Sequence, residues 1–511
     1  VSAKKPPNIL LITSDQQHWN TIGAFNSEIR TPNLDRLARE GTAFRRAYCP
    51  NPTCTPSRAS ILTGMYPSQH GAWSLGTKLS EEVPTVGQEL AESGYRTALV
   101  GKAHFQPLAS TPEYESLEAH PLLHDLEYWR EFHGPFYGFE RVELARNHAN
   151  ERHVGQHYAL WMEEKGLANW RDYFEVEPDN ANGNGKGKGW SGHRWHLPEA
   201  FHQDAWIADR TNGLMEEYAE EGEPFFLWAS FFDPHDPYLA PEPWDTMYDP
   251  AELTVPAAVP GEHDRNPPHL RLTQEINPDF SDYEESGKFI HGFRSHVRES
   301  GQVAKDLAVY YGMISLMDRY IGKILDKLDK LGLTENTLVV FTTDHGEVCG
   351  HHGLVKKGAF HYEDLLRIPF LVRYPGRVPA RRVSPALQSL VDLAPTFLRY
   401  AGLNVPGRMT GVDQGAVWEG RDSEARDHVL CENRHEPTTV HLKTYVDQRY
   451  KLTVYYNRPY GELFDLQEDP KELRNLWDDP DSAPLKTELL QRMLWAELGK
   501  EAMPMPRISG A

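Results

Sequence analysis

The chain has 511 residues, more than one ordinary core organises, so a large domain with a smaller companion is expected. Its 53 Lys and Arg stand against 74 Asp and Glu, a formal charge of −21 that argues against nucleic-acid and anionic-membrane partners and leaves any anionic substrate to a local basic pocket. Four cysteines (Cys49, Cys54, Cys349, Cys431) show neither C-x-x-C spacing nor a disulfide framework, and no apolar run reaches the roughly 18 residues that span a bilayer.

In chain order, Lys4 and Lys5 precede an apolar run too short for a secretory signal and without a cleavage site. The expected compartment is therefore cytoplasmic, or periplasmic or secreted if a leader preceded Val1. Asn8 to Thr13, NILLIT, reads as a strand covered on both faces, and it delivers Asp15 and Gln16 at its carboxyl end, where open α/β sheets gather ligands. Thr31 as N-cap and Pro32 at the first helical position open a helix over Leu34 to Glu40, closed by Gly41.

Pro52 to Pro67, PTCTPSRASILTGMYP, carries the pattern Cys54-x-Pro56-x-Arg58. Pro56 suits the first position of a short helix over Ser57 to Thr63, and Gly64 suits its stop. Cys54 then lies at a helix N-terminus, where free N–H groups and the dipole favour an anion, and Arg58 follows one turn later. A lone cysteine would read as a core residue. A tyrosine-phosphatase loop fails on spacing, because only three residues separate Cys54 and Arg58.

Further along, a helix is expected over Thr85 to Glu92 and a strand over Arg96 to Val100, which delivers Lys102 and His104. Residues from about 106 to 192 read as an insertion rich in aromatics, with a flexible Gly/Lys/Asn loop at 182–189. Phe225 to Phe231 is an apolar strand leading to Asp233-Pro234-His235-Asp236. Val303, Leu307, Tyr310, Ile314, Met317, Ile321, Ile324 and Leu328 step by three and four, the stripe of a long sheet-packing helix. Thr337 to Thr342 is the next strand, carrying Asp344 and His345. Arg367 to Val372 is another strand and Asp392 to Ala401 a helix. The alternation makes an α/β fold with a mostly parallel central sheet flanked by helices. After about Arg426 short strands and a helix near Ala483 to Leu498 read as a C-terminal α+β subdomain. The expected division is therefore 1–425 and 426–511.

Cys54-Thr55-Pro56-Ser57-Arg58, with Ser60 and Leu62-Thr63-Gly64, resembles the signature of the type I sulfatases, shared by the related phosphonate monoester hydrolases. The resemblance implies an alkaline-phosphatase-like fold. It also implies oxidation of Cys54 by a formylglycine-generating enzyme to formylglycine, whose hydrate is the nucleophile. Asp15, Gln16, Asp344 and His345, at the ends of two strands, make a cage for one divalent ion that also meets residue 54. Gln16 and His345 depart from the common Asp and Asn. An imidazole suits Mn2+ or another first-row ion, while the family favours Ca2+, with Mg2+ a further choice. Lys102 and His104, in GKAH, match a motif that orients the formylglycine and binds substrate oxygen. His235, in PHDP, and Lys357, in KKG, complete the resemblance as sulfate-holding and leaving-group residues. Lys356 is the alternative, with spacing from Asp344 favouring Lys357. His351, His352 and His361 read as surface or supporting residues, since their spacing fits no compact zinc motif.

The implied function is hydrolysis of small-molecule sulfate esters, arylsulfatase-like. Arg58, Lys102, Lys357 and the metal would offset charge on one anion, and His235 or Lys357 would protonate the leaving alcohol. The alternatives are a phosphonate monoester or phosphodiester hydrolase, a choline-sulfatase-like alkyl sulfatase, and an inactive binding module on the same fold. The oligomeric state, a homo-oligomer included, is left open.

Overall fold

The computed structural model of the chain describes residues 6–146, 153–174, 190–191, 193–503, 505 and 507–510. Lys4, Lys5 and the 182–189 loop lie outside the described residues. Eight strands form the central sheet: β1 (Asn8–Ser14), β2 (Thr42–Phe44), β3 (Arg96–Gly101), β4 (Arg141–Leu144), β5 (Phe225–Ser230), β6 (Thr337–Thr343), β7 (Phe370–Arg373) and β8 (Arg382–Ser384). Their order in space is β8-β2-β7-β6-β1-β5-β3-β4, and of these β7 alone runs against its neighbours. β1, β5 and β6 are buried at every position, which is why they read as continuous apolar runs.

Alternate residues of β1 enter opposite layers. Leu10 and Ile12 join the core made with α1 (Pro32–Glu40), α4 (Gln203–Glu221) and α5 (Ser300–Lys330). Ile9 and Leu11 join the other, made with α2 (Cys54–Thr63), α3 (Val86–Glu92) and α6 (Leu393–Tyr400). The stripe of α5 from Leu307 to Leu328 lies in the first core, as a sheet-packing helix requires.

Three local expectations change. Thr31 does not cap α1 with its side chain. The Asp318 carboxylate on α5 does so, accepting from the backbone N–H groups of Asn33 (3.1 Å) and Leu34 (2.7 Å). The run Arg367 to Val372 breaks at Pro369, which has no N–H for a ladder. Arg367–Ile368 pairs with Ala47–Tyr48, and only β7 joins the central sheet. Within the 106–192 stretch, β4 is an edge strand of the sheet itself.

Toward the C-terminus, β9 (Val429–Arg434), β10 (His441–Val446), β11 (Tyr450–Tyr455) and β12 (Gly461–Asp465) make an antiparallel sheet in chain order. Leu430, Tyr445, Leu452 and Leu463 pack with Leu489 and Met493 of α7 (Ala483–Gly499). Val429, Cys431 and Val446 pack into the main body.

Candidate active site

The register of the sheet brings the chemistry-bearing ends together. Thr13 pairs with both Ser230 and Thr342, so the residues after β1, β5 and β6 leave the sheet side by side. Those after β1 are Asp15 and Gln16, those after β6 are Asp344 and His345, and the segment after β5 reaches His235. β3 delivers Lys102 and His104 on the far side of β5. α2 starts at Cys54 itself, so Pro56 occupies the third helical position rather than the first. No hydrogen bond is lost, because the first four N–H groups of a helix have no internal partner. All ten residues of α2 are buried, which places its N-terminus inside the protein.

Four groups surround Cys54 Sγ: Lys357 Nζ at 3.0 Å, His345 Nε2 at 3.2 Å, Lys102 Nζ at 3.6 Å and Asp15 Oδ1 at 3.7 Å. Lys357 Nζ is also 3.1 Å from His235 Nε2. Lys356 turns away and pairs with Asp236. Arg58 donates from Nε to Asp344 Oδ2 (2.8 Å) and from Nη1 to Ser230 Oγ (2.7 Å) and the Lys102 carbonyl (3.0 Å). Its Nη2 lies 3.5 Å from Asp15 Oδ2, and Lys102 pairs with the same oxygen. The guanidinium therefore meets the carboxylates rather than the sulfur.

The electrostatics follow from burial and crowding. Burial pushes the Cys54 thiol up, but Lys102, Lys357 and His345 overcome it and hold the thiol well below its ordinary value. Burial and the neighbouring Cys54 thiolate raise the Asp15 carboxyl, yet Lys102, His235 and Arg58 bring it below the usual range. His104 is held well below an ordinary imidazole by burial and by Arg146, and its Nδ1 is buried without a partner.

The residues fit a divalent ion. One ligand atom from each of Asp15, Cys54, Asp344 and His345 lies within 4.8 Å of the others. His345 Nδ1 sits 3.0 Å from the Gly346 carbonyl, which only accepts, so Nδ1 keeps a proton, and Nε2 is the nitrogen an ion would take in place of the second proton that Asp344 favours against burial. Gln16 donates from Nε2 to Glu347 (2.6 Å) and Asp236 (3.4 Å), while its Oε1 is a buried acceptor with no partner. Backbone N–H groups of Gln16 (3.1 Å) and His345 (2.9 Å) both donate to Asp344 Oδ1. With position 54 as an oxygen donor after conversion, the imidazole is the donor of this set that distinguishes a first-row ion from calcium.

Several residues around this cluster escape a reading of the sequence. Asp236 and Glu347 set the orientation of the Gln16 amide, and both lie within the PHDP and DHGE strings. Arg146, fully buried near Cys54 and Asp15, comes from the end of β4, where nothing local marks it. His291 and His435 stand with ring centroids 5.8 Å apart, and burial together with the Lys357 charge holds both below an ordinary imidazole. His361 bonds Thr444 Oγ1 at 2.6 Å, and His351 and His352 meet Asp364, all apart from Cys54.

Residues 7–403 match the family model described as Sulfatase, and residues 350–498 match the one described as N-sulphoglucosamine sulphohydrolase, C-terminal. An arylsulfatase of Clostridium perfringens is 29% identical over 97% of this chain and 95% of its own. A phosphonate monoester hydrolase of Agrobacterium radiobacter superposes with a TM-score of 0.79 at 25% identity, over 98% of this chain and 97% of its own. One from Silicibacter pomeroyi does so with a TM-score of 0.75 at 26% identity, over 98% and 96%.

Proposed function

The chain belongs to the sulfatase family and is a sulfuric ester hydrolase, and we propose that Cys54, converted to formylglycine, is its nucleophilic position, with one divalent ion held by Asp15, Gln16, Asp344 and His345. The observation that carries this reading is the convergence on Cys54 Sγ of Lys357, His345, Lys102 and Asp15, all within 3.7 Å. When in place, the ion and the hydrated aldehyde supply an acidified hydroxyl and a route for sulfate release that a thiol or serine lacks.

The chain's own residues account for the rest. Lys102 and Lys357 bracket position 54 and offset charge on the non-bridging oxygens without reorganising, since both are buried and anchored. Arg58 locks the Asp15 and Asp344 carboxylates in one orientation. His235 and Lys357, 3.1 Å apart, pass a proton to the departing alkoxide. His104, kept neutral by burial and by Arg146 and hydrogen-bonded to the Cys54 side chain, accepts a proton from position 54.

For the ion, His345 weighs toward Mn2+ and the family toward Ca2+, with Mg2+ third. Reconstitution of the chelated protein with each decides. Maturation requires a formylglycine-generating enzyme. Gln16 and His345, with the likeness to phosphonate monoester hydrolases, support a second activity toward phosphonate monoesters and phosphodiesters on the same site. We further propose residues 1–425 as the catalytic unit and 426–511 as a subdomain, on the strength of its separate sheet. Among the described residues no helix is long and apolar enough to cross a membrane.

Whole-protein mass spectrometry of the matured protein is expected to show a loss of about 18 Da from conversion of one cysteine. Rates toward a matched aryl sulfate, phosphate diester and phosphonate monoester rank the activities, with the sulfate first. Substantial turnover by Cys54→Ala would sink the assigned nucleophile.

A further inference from the structure

We propose that His202, Asp204 and Asp233 form a second cation site, separate from the cage at Cys54, that takes a first-row divalent ion such as Zn2+. His202 is the residue before α4, Asp204 lies in that helix's first turn, and Asp233 follows the end of β5. Their exposures are 0%, 0% and 1%. One ligand atom from each lies within 4.8 Å of the others. His202 Nε2, 4.0 Å from Asp233 Oδ2, is the ring nitrogen an ion would take; Nδ1 accepts the Asp204 N–H at 3.3 Å, a bond that ion binding exchanges for a proton on Nδ1 facing Asp204 Oδ2 at 3.6 Å. Tetrahedral ligands bonded at about 2.0 Å stand roughly 3.3 Å apart, so modest rotamer shifts close the cluster around an ion.

A second observation points to a ligand. Both carboxylate oxygens of Asp204, Oδ2 of Asp233 and Nε2 of His202 are buried atoms without a partner inside 3.5 Å, and the two carboxyls have only a longer contact with each other. Buried polar atoms are nearly always paired, and four orphans around one point are not an ordinary core feature. Among the described residues, Asp204 and Asp233 pair with no basic side chain but His202, and Asp233 Oδ1 accepts from Gln203 Nε2 at 2.7 Å. Two carboxylates and a neutral imidazole balance one divalent charge, which removes the penalty of burying either acid unpaired. Burial and the neighbouring Asp233 hold Asp204 well above the usual carboxylate range, the condition a bound cation would reverse.

The location gives the site a consequence. The Asp233 carbonyl accepts the Asp15 N–H at 3.1 Å, and His235 lies two residues on. An ion here fastens the start of α4 to the segment that carries His235 past Asp15, a positioning role rather than a chemical one.

The test uses the full-length protein, produced with Zn2+ and dialysed free of excess metal. An anomalous difference map at the zinc edge from wild-type crystals is expected to show a peak between the three side chains, and it needs no variant. By elemental analysis, Asp15→Asn combined with Asp344→Asn is expected to keep one zinc per chain. His202→Gln and Asp204→Asn are each expected to remove one equivalent of zinc. A wild-type map without density between His202, Asp204 and Asp233 would overturn the proposal in favour of a proton shared by the two carboxyls. Zinc content unchanged in both His202→Gln and Asp204→Asn would overturn it equally. Failure of the proposed catalytic reading would instead show as substantial turnover by Cys54→Ala or a matured mass without the loss of about 18 Da.

Discussion

His352 pins the segment between β6 and β7 that carries His345 and Lys357, and the strength of that pin depends on pH. Its Nδ1 lies 3.0 Å from Glu262 Oε1 and its Nε2 3.6 Å from Asp364 Oδ2, and its ring stacks on Tyr362 with centroids 3.6 Å apart. Burial disfavours the imidazolium, but the two carboxylates outweigh it and push His352 up to about 9. Against an ordinary imidazole near 6.5, that difference is worth roughly 3 kcal/mol. The side chain is only 4% exposed, so solvent screening removes little of it. The sign follows from linkage: the folded state binds the proton more tightly, so the stabilisation is full below about pH 6.5 and is lost as pH rises toward 9. His351, on the same Asp364, is lowered to about 4 by burial and stays neutral throughout this window. Urea midpoints of wild type and His352→Gln, measured from about pH 6 to pH 9.5, give the difference directly. The gap is expected to shrink by roughly 3 kcal/mol across the window, because glutamine does not titrate. A gap that stays constant or widens with pH would refute a charged His352 between Glu262 and Asp364.

The two adjacent lysines separate by geometry: Lys357→Met is expected to lower kcat by about 10²-fold or more, and Lys356→Met, which loses only Asp236, by less than about tenfold. Equal losses in steady-state assays would contradict the placement of Lys357. Gly101→Ala is expected to destabilise by at least about 3 kcal/mol, read as a fall in thermal midpoint. Gly101 has φ +107°, and an added Cβ would stand 1.9 Å from the Ser230 carbonyl oxygen across the β3–β5 pair. Asp318→Ala removes the cap of α1 and is expected to cost about 1–3 kcal/mol, whereas Asp318→Asn keeps one acceptor oxygen and is expected to fall within about 1 kcal/mol of wild type. Equal denaturant midpoints for the two variants would remove Asp318 as the cap.

The parts of this protein that follow from neighbours along the chain are legible without coordinates. Continuous apolar runs become β1, β5 and β6 because a strand covered on both faces has no polar face to show. The three-and-four stripe becomes α5 for the matching helical reason. Cys54, Pro56 and Arg58 sit within one helical turn of each other, so their motif survives as a motif, even though α2 begins two residues earlier than Pro56 suggests. Asp15, Asp344 and His345 are each visible as residues just past a strand.

What the sequence determined alone is therefore the run of strands and helices, the α/β class and the residue types on offer at the strand ends, since these depend on periodicity and local backbone preference. The tertiary structure decided what those residues meet. Arg58 binds carboxylates rather than the sulfur, Asp318 displaces Thr31 as a cap, Arg146 arrives from β4, and His202 joins Asp233 across α4 and β5. Each of these joins positions from 31 to 286 residues apart, and no spacing rule along a chain specifies which side chains a parallel sheet's register will set face to face.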